Sequence, residues 1–159
     1  DQTAIIWQWN IEKNSVECVH VCRGHEQALE SVGVSGDNSH MATGAWDNML
    51  KVWGTSEDDG DEPPDAKKAK IDKGKTRVPK RTMKGHKEAI SGVVWIGSSE
   101  IITSSWDHTI KVWDADLGGM KHEIVGNKSF FDVDYSKIGR ILVTASADRH
   151  VRIYDPRSN

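Results

Sequence analysis

A chain of 159 residues is long enough for one ordinary domain with a sizeable core, and its net charge of −3 excludes a global polycation built to bind nucleic acid. No apolar run approaches the length of a membrane span, and the N-terminal stretch DQTAIIWQWN lacks the basic region and small-residue cleavage site of a signal peptide. Two cysteines are too few for a disulfide framework and favour a reducing compartment.

The first cluster of reactive side chains in chain order is CVHVCRGH, which holds four candidate zinc ligands, Cys18, His20, Cys22 and His25. The first three alternate along a predicted strand, so they share one face in a row. Tetrahedral zinc sites are usually built from ligands that converge from turns, with a close pair such as C-x₂-C. The spacing therefore argues against zinc, and we predict neither a metal site nor a cofactor.

The chain then repeats a pattern with three marks. TGAWDNMLKVWG at 43–54 and TSSWDHTIKVWD at 103–114 each place a Thr four residues before an Asp and a Trp six residues after it. A third copy carries Thr144, Asp148 and Tyr154 at the same offsets, and Trp7 follows Asp1 by six. The third mark is a Gly-His pair at 24–25 and 85–86 and a Gly-Asn pair at 126–127. The second residue of each pair lies 22, 21 and 21 residues before the aspartate of its copy. A fixed register of this kind indicates internal structural repeats.

The local chemistry of each repeat favours β-strands. TIKVW and VRIYD are β-branched and aromatic with alternation, and small polar residues punctuate the ends at 35–39, 97–99 and 136–139. We predict four short antiparallel strands per repeat. In the repeat that follows His86 they cover roughly 89–96, 99–106, 109–114 and 120–125.

One segment breaks the period, because Asp47 and Asp107 are 60 residues apart whereas Asp107 and Asp148 are 41 apart. The excess is an acidic stretch, SEDDGDEPPD, followed by a basic one, KKAKIDKGKTRVPKR. It has no apolar periodicity, so we predict a disordered insert at about 54–79. Lys67, Lys68 and Lys70 fit a nuclear-localisation patch, and the bases that follow could touch RNA phosphate; the alternative is a solvated loop that nothing binds.

Repeats with Gly-His and Trp-Asp marks resemble the WD-repeat β-propeller, an all-β fold of four-stranded blades. The resemblance implies an incomplete set of blades, two whole and two partial. The chain would contain the end of a blade at 1–23, a blade with the insert at 28–84, a blade at 89–125, and a blade lacking its outer strand at 129–159. Because propellers close with about 4–8 blades, we expect this chain to be an excerpt of a longer one.

The resemblance also implies a hydrogen-bonded tetrad of side chains in each intact blade. One tetrad would contain His25, Thr43, Asp47 and Trp53, and the other His86, Thr103, Asp107 and Trp113. Asn127 and Tyr154 replace two members in the third copy, so that network should be altered.

Thr, His and Asp also allow a catalytic interpretation, as nucleophile, base and orienting acid. The set recurs in two repeats, however, whereas an active site is normally built once. Its aspartate lies at a tight turn, where a carboxylate accepts backbone N–H groups, and a buried indole needs an acceptor. We therefore predict a structural role for the tetrads and no enzyme activity.

A closer resemblance rests on WDHTIKVWD, GNK in place of Gly-His, ADRHVRIYDPR, and the acidic-to-basic insert one repeat earlier. These features are similar to the family of WD-repeat subunits of the PeBoW complex. That resemblance implies a non-catalytic scaffold in large ribosomal subunit biogenesis and pre-rRNA processing, with pescadillo and the block-of-proliferation protein as partners. It implies a location in the nucleus, nucleolus and nucleoplasm, contact with the pre-ribosomal particle, and an N-terminal ubiquitin-like domain that engages the midasin ATPase. The alternatives are a substrate receptor of a ubiquitin ligase or a chromatin-associated adaptor.

Trp46 and Trp106 lie immediately before the turn aspartates, where the third copy has Ala147, so the fold does not demand an aromatic there. Adjacent propeller blades would place the two rings near each other on one rim. Each ring could fold down against the neighbouring blade, or the pair could anchor a partner protein. In the second case the flanking polar residues would be Glu26, Gln27, Lys87, Glu88 and Lys128.

Overall fold

A computed structural model describes residues 1–56 and 75–155, with only the backbone of Lys75. Every regular element in this part of the chain is a β-strand. The described residues contain no helix that is long and apolar enough to cross a membrane. In chain order the strands are β1 Thr3–Asn10, β2 Ser15–Arg23, β3 Leu29–Val34, β4 His40–Ala45, β5 Met49–Gly54, β6 Lys75–Arg77, β7 Arg81–Lys84, β8 Ile90–Ile96, β9 Glu100–Ser105, β10 Thr109–Asp114, β11 Met120–Val125, β12 Phe130–Ser136, β13 Ile141–Ser146 and β14 Val151–Tyr154.

These strands form four sheets. The second sheet has the order β3-β4-β5-β7 and the third β8-β9-β10-β11, and both are antiparallel throughout. The four strands predicted after His86 agree with β8 to β11 to within one residue at each end. The first sheet contains the hairpin β1–β2, and the fourth contains β12, β13 and β14. The all-β class and the partial propeller predicted from the sequence are confirmed.

The predicted disordered insert is wrong at its C-terminal end. Residues 57–74, including Lys67, Lys68 and Lys70, lie outside the described residues, but Lys75–Arg77 forms β6 and pairs in parallel with β2 of the first sheet. Arg77 is buried, and its Nη2 contacts His20 Nε2 at 3.0 Å and donates to the carbonyl of Ser56. The chain after β5 therefore crosses to the neighbouring sheet before it returns as β7.

The turn that follows the second strand of each repeat has the same construction in three sheets. Asn48, His108 and Arg149 all have positive φ angles, of 66°, 70° and 71°. In each turn the preceding aspartate accepts a hydrogen bond from the backbone N–H two residues later, at 3.0 Å for Asp47, Asp107 and Asp148. This local bond stabilises a left-handed conformation that L-residues other than Asn and Asp rarely adopt.

Adjacent sheets pack face to face through apolar side chains and a few polar contacts. Leu50 and Val52 of the second sheet pack with Ile90 and Trp95 of the third, and a Cβ on Gly44 would lie 2.4 Å from Ile90 Cγ2. Glycine at position 44 therefore allows the inner strand of the third sheet to approach. A second cluster joins the third and fourth sheets, and it is formed by Ile102, Ile110, Val112, Phe130, Val133 and Leu142.

Candidate protein-binding rim

The first tetrad is complete and largely buried. His25 Nδ1 lies 2.8 Å from Asp47 Oδ2, His25 Nε2 lies 2.7 Å from Thr43 Oγ1, and Trp53 Nε1 donates to Thr43 Oγ1 at 2.9 Å. The donors and acceptors are all satisfied if His25 is neutral: its Nδ1–H donates to Asp47, and its Nε2 accepts the Thr43 hydroxyl proton. Burial lowers the pKa of His25, against the opposing effect of Asp47, and so favours this neutral form.

The second tetrad repeats this geometry in the third sheet. His86 contacts Asp107 at 2.9 Å and Thr103 at 2.7 Å, and Trp113 Nε1 donates to Thr103 Oγ1 at 2.8 Å. Burial alone would raise the pKa of Asp107, but hydrogen bonds from His86, Thr109 and the Lys87 N–H outweigh it and hold the pKa well below its usual range. Both tetrads predicted by resemblance are therefore present as hydrogen-bonded networks.

The third copy has lost this network. Thr144 is 1% exposed, and its Oγ1 has no hydrogen-bond partner among the described residues. Asp148 instead pairs with Arg152 at 2.6 Å, which holds the pKa of Asp148 well below its usual range, and Asn127 is exposed. The alteration predicted from Asn127 and Tyr154 thus takes the form of an orphaned threonine and a surface ion pair.

The cysteine and histidine side chains of β2 do not converge. Within residues 1–56 and 75–155 no three His, Cys, Asp or Glu side chains are grouped as metal ligands. His25 belongs to the first tetrad, and His20 contacts Arg77. Burial raises the pKa of Cys22 to about 11, with Arg77 opposing, so this thiol stays protonated and is a poor metal ligand.

The structure brings the two predicted rim tryptophans into contact. The ring centroids of Trp46 and Trp106 are 5.5 Å apart, with an interplanar angle of 54°, across the boundary between the second and third sheets. Trp46 is 46% exposed, and its Nε1 donates to Glu30 at 2.9 Å. Trp106 is half-buried, and its Nε1 has no partner in the described part of the chain. Trp46 is therefore the more exposed ring of the pair, and Trp106 packs against it.

The loops around this pair are exposed, and the tetrads hold their backbones. The N–H groups of Glu26 and Lys87 donate to Asp47 Oδ2 at 3.0 Å and Asp107 Oδ2 at 2.9 Å. Asn48 Nδ2 donates to the Lys87 carbonyl at 3.2 Å and links the two sheets. The predicted polar residues of the rim are all exposed: Glu26, Gln27, Lys87, Glu88 and Lys128. We call this surface, with Trp46, Trp106 and Glu30, the tryptophan rim.

Sequence reasoning did not find Glu30. It is the second residue of β3, at a β-bulge, and lies 16 residues before the tryptophan that it binds. An exposed carboxylate in a strand carries no mark that distinguishes it from a solvated charge, so only the fold identifies it as a partner of Trp46.

The repeats, their tetrads and their sheets define a WD-repeat protein. The sequence profile described as "WD domain, G-beta repeat" matches residues 16–54, 77–114 and 119–155. The chain belongs to this WD40 family.

The chain is also similar in sequence to proteins that are named for ribosome biogenesis. The chain is 52% identical over 162 residues to "Ribosome biogenesis protein WDR12 homolog" from Culex quinquefasciatus, 54% over 159 residues to the protein of the same name from Drosophila virilis, and 50% over 159 residues to that from Anopheles gambiae. These matches cover 99–100% of this chain and 37–38% of each relative. The chain thus spans less than two-fifths of the length of these relatives.

Proposed function

We propose that this chain is part of a non-catalytic protein-binding scaffold in large ribosomal subunit biogenesis and pre-rRNA processing, and that the tryptophan rim binds its partner protein. The observation that carries the choice of surface is the ring contact between Trp46 and Trp106 at an exposed edge of two sheets. The ribosome-biogenesis name of relatives that match the whole chain supports the process.

The rim has the physical properties of a binding hot spot. Trp concentrates binding energy at interfaces because one ring buries a large area with few rotatable bonds. Glu30 holds the Trp46 indole through its N–H, and the ring of Trp106 supports it. A side chain ordered before binding loses less conformational entropy when a partner covers it.

The buried position of the tetrads argues for a scaffold rather than an enzyme. Thr43 and Thr103 are both 0% exposed, and each hydroxyl already lies between a histidine and a tryptophan. A nucleophile must reach its substrate, so these hydroxyl groups are unsuited to catalysis. Their role is to fix the loops that carry the rim.

The resemblance to PeBoW subunits supports pescadillo and the block-of-proliferation protein as partners, with the nucleus, nucleolus and nucleoplasm as locations. We propose Lys67, Lys68 and Lys70 as a nuclear-localisation patch, and substitution of all three by Ala should reduce nuclear accumulation of a fluorescent fusion. Contact with RNA phosphate through the bases of the same insert is a further part of this proposal. A midasin contact would belong to the ubiquitin-like domain that the resemblance implies.

The rim is tested by the double substitution of Trp46 and Trp106 by Ala in the full-length protein. Affinity for the purified block-of-proliferation protein and pescadillo should fall by at least about 2 kcal/mol, or roughly 30-fold in Kd. The measurements are calorimetric titration with each partner and the melting temperature of the variant. Because Trp46 is the more exposed ring, Trp46→Ala alone should lose much of the affinity with little change in melting temperature.

Leu117→Ala is the matched control, since Leu117 is 82% exposed in the turn at the opposite end of the third sheet. It should leave binding unchanged. If the double variant melts at a much lower temperature while its folded fraction binds normally, the rings are structural and the rim is not the site. Recovery of ubiquitin-ligase subunits or nucleosomes instead of pre-ribosomal factors, by affinity purification with mass spectrometry, would favour the alternative functions.

A further inference from the structure

A pocket lies at the other end of the sheets from the tryptophan rim. It has a volume of about 240 Å³ and lies between the second and third sheets. His40 at the start of β4 and Arg81 at the start of β7 come from the second sheet, and Trp95 near the end of β8 comes from the third. Val52, Lys80 and Asp116 also line it.

Arg81 is a cation of this pocket without a partner in the described part of the chain. It is exposed and makes no hydrogen bond or ion pair there. Its stem lies against the turn between β10 and β11, where a Cβ built on Gly118 would be 3.7 Å from Arg81 Cδ. The guanidinium therefore lies near the boundary of the two sheets, with its five donors available to a ligand.

His40 and Asp116 also have polar atoms without a partner among the described residues. His40 Nδ1 is hydrogen-bonded to Ser39 Oγ at 2.7 Å, whereas His40 Nε2 makes no hydrogen bond with any described residue. Asp116 lines the same space, but no ion pair joins it to Arg81. The pocket therefore separates a guanidinium from a carboxylate, with the apolar surfaces of Val52 and Trp95 nearby.

We propose that this pocket binds an acidic segment of a partner protein, with a Glu or Asp carboxylate of that segment paired to Arg81. A guanidinium matches a carboxylate in a two-point geometry. Asp116, which also lines the pocket, can accept a backbone N–H of the bound segment. The proposal is independent of the tryptophan rim, because the two surfaces lie at opposite ends of the strands.

The observations favour a peptide over a nucleic acid. An RNA strand needs a track of cations along its phosphates, whereas this pocket has two cationic side chains together with the Asp116 carboxylate. The pocket is also compact and partly apolar, as suits one side chain and its backbone.

The test is a titration of ¹⁵N-labelled full-length protein with the peptide acetyl-Ser-Gly-Glu-Glu-Gly-Ser-amide. The readout is the indole N–H resonance of Trp95, which is assigned by its loss in Trp95→Phe. In the folded protein this N–H donates to the Gly33 carbonyl at 3.1 Å, beside the pocket. We expect a saturable shift, at least ten-fold weaker binding of the peptide with Gln in place of both Glu residues, and at least ten-fold weaker binding to Arg81→Gln.

Arg140→Gln is the matched control, because Arg140 is an exposed arginine at the same end of the fourth sheet. It should bind the acidic peptide like the unchanged protein. Arg81→Lys should recover part of the affinity lost in Arg81→Gln, since lysine restores the positive charge without the two-point geometry of the guanidinium. Equal binding of the Glu and Gln peptides, an unaffected Arg81→Gln, or tighter Arg81-dependent binding of a uridine hexanucleotide would overturn the proposal.

Discussion

At the scale of single residues, each tetrad is a directed chain of hydrogen bonds. The indole N–H donates to the threonine oxygen, the threonine proton goes to histidine Nε2, and histidine Nδ1–H donates to the aspartate. Each of these donors points at another member of the tetrad, so losing one member removes a hydrogen-bond partner from its neighbour. The fourth sheet supplies an internal comparison, because Thr144 is buried there without such neighbours.

This comparison gives a paired prediction. Thr103→Val should destabilise the full-length protein by about 1–3 kcal/mol, because the Trp113 N–H and the His86 ring both lose a buried partner. Thr144→Val should be neutral or stabilising, because it replaces a buried hydroxyl that has no partner among the described residues with a methyl group of the same shape. Both values come from denaturant unfolding. Equal losses at the two sites would show that Thr144 has a partner after all.

The turn aspartates give a second prediction. Asp107→Ala should cost about 1–3 kcal/mol, since His86, Thr109 and a backbone N–H lose their acceptor. Asp148→Ala should cost less, because its main partner is Arg152 at the surface. Equal losses would mean that the aspartate acts only through its own turn.

The contribution of the Asp107 charge to stability can be measured from the pH dependence of the unfolding free energy. Its pKa is lower in the folded state than in the unfolded state, so its stabilisation is fully present above the unfolded value of about 4 and is lost as the pH falls towards the folded value. Asp107→Asn should therefore flatten the decline in unfolding free energy below about pH 5. An unchanged acid limb would contradict this assignment.

At the scale of elements, alternation and turn chemistry were enough to predict the strands of the repeats. TIKVWD forms β10 because it is rich in β-branched and aromatic residues, with Ile110 and Val112 on one face and Trp113 on the other. The aspartate turn before it forms where the register predicts. β6 was missed because KTR has no apolar pattern. Its partner β2 lies more than fifty residues earlier, and only the arrangement of sheets brings them together. Glu30 was missed for a different reason, because an exposed carboxylate in a strand carries no sequence mark that pairs it with Trp46.

Arg77 gives β6 a structural role, because its buried side chain contacts His20 and the Ser56 carbonyl. Replacement of residues 57–74 by a short Gly/Ser linker should leave the melting temperature nearly unchanged, because loop length has a small entropic effect, about 0.6 kcal/mol per doubling. Deletion of 57–79, or Arg77→Ala, should instead lower stability by about 1–3 kcal/mol, because His20 and the Ser56 carbonyl lose a buried partner. Thermal melts of the three variants compare these outcomes. Equal melting temperatures would show that β6 contributes nothing to the fold.

At the scale of the whole molecule, stability depends on sheets that cover one another. The second and third sheets are each packed between two neighbours, and their core residues Leu50, Ile90 and Ile110 are 0% exposed. Polar contacts reinforce these interfaces, such as the bond from Ser91 Oγ to the Phe130 carbonyl at 2.7 Å. Among the described residues the first and fourth sheets are each packed on one face, so packing stabilises them less than it stabilises the second and third sheets.

The uncovered faces predict how residues 1–159 behave in isolation. Trp7 and Trp9 of β1 are 56% and 65% exposed, and Val151 and Ile153 of β14 are 70% and 67% exposed. Apolar sheet faces and open strand edges of this kind promote association. The isolated chain should therefore self-associate and bind a hydrophobic dye, as seen by light scattering and fluorescence. Trp9→Lys with Ile153→Lys should reduce both signals, since charges on exposed sheet positions oppose pairing. A monodisperse monomer with a sharp two-state melt would contradict the prediction, because it would mean that the two outer sheets are stable with these faces in water.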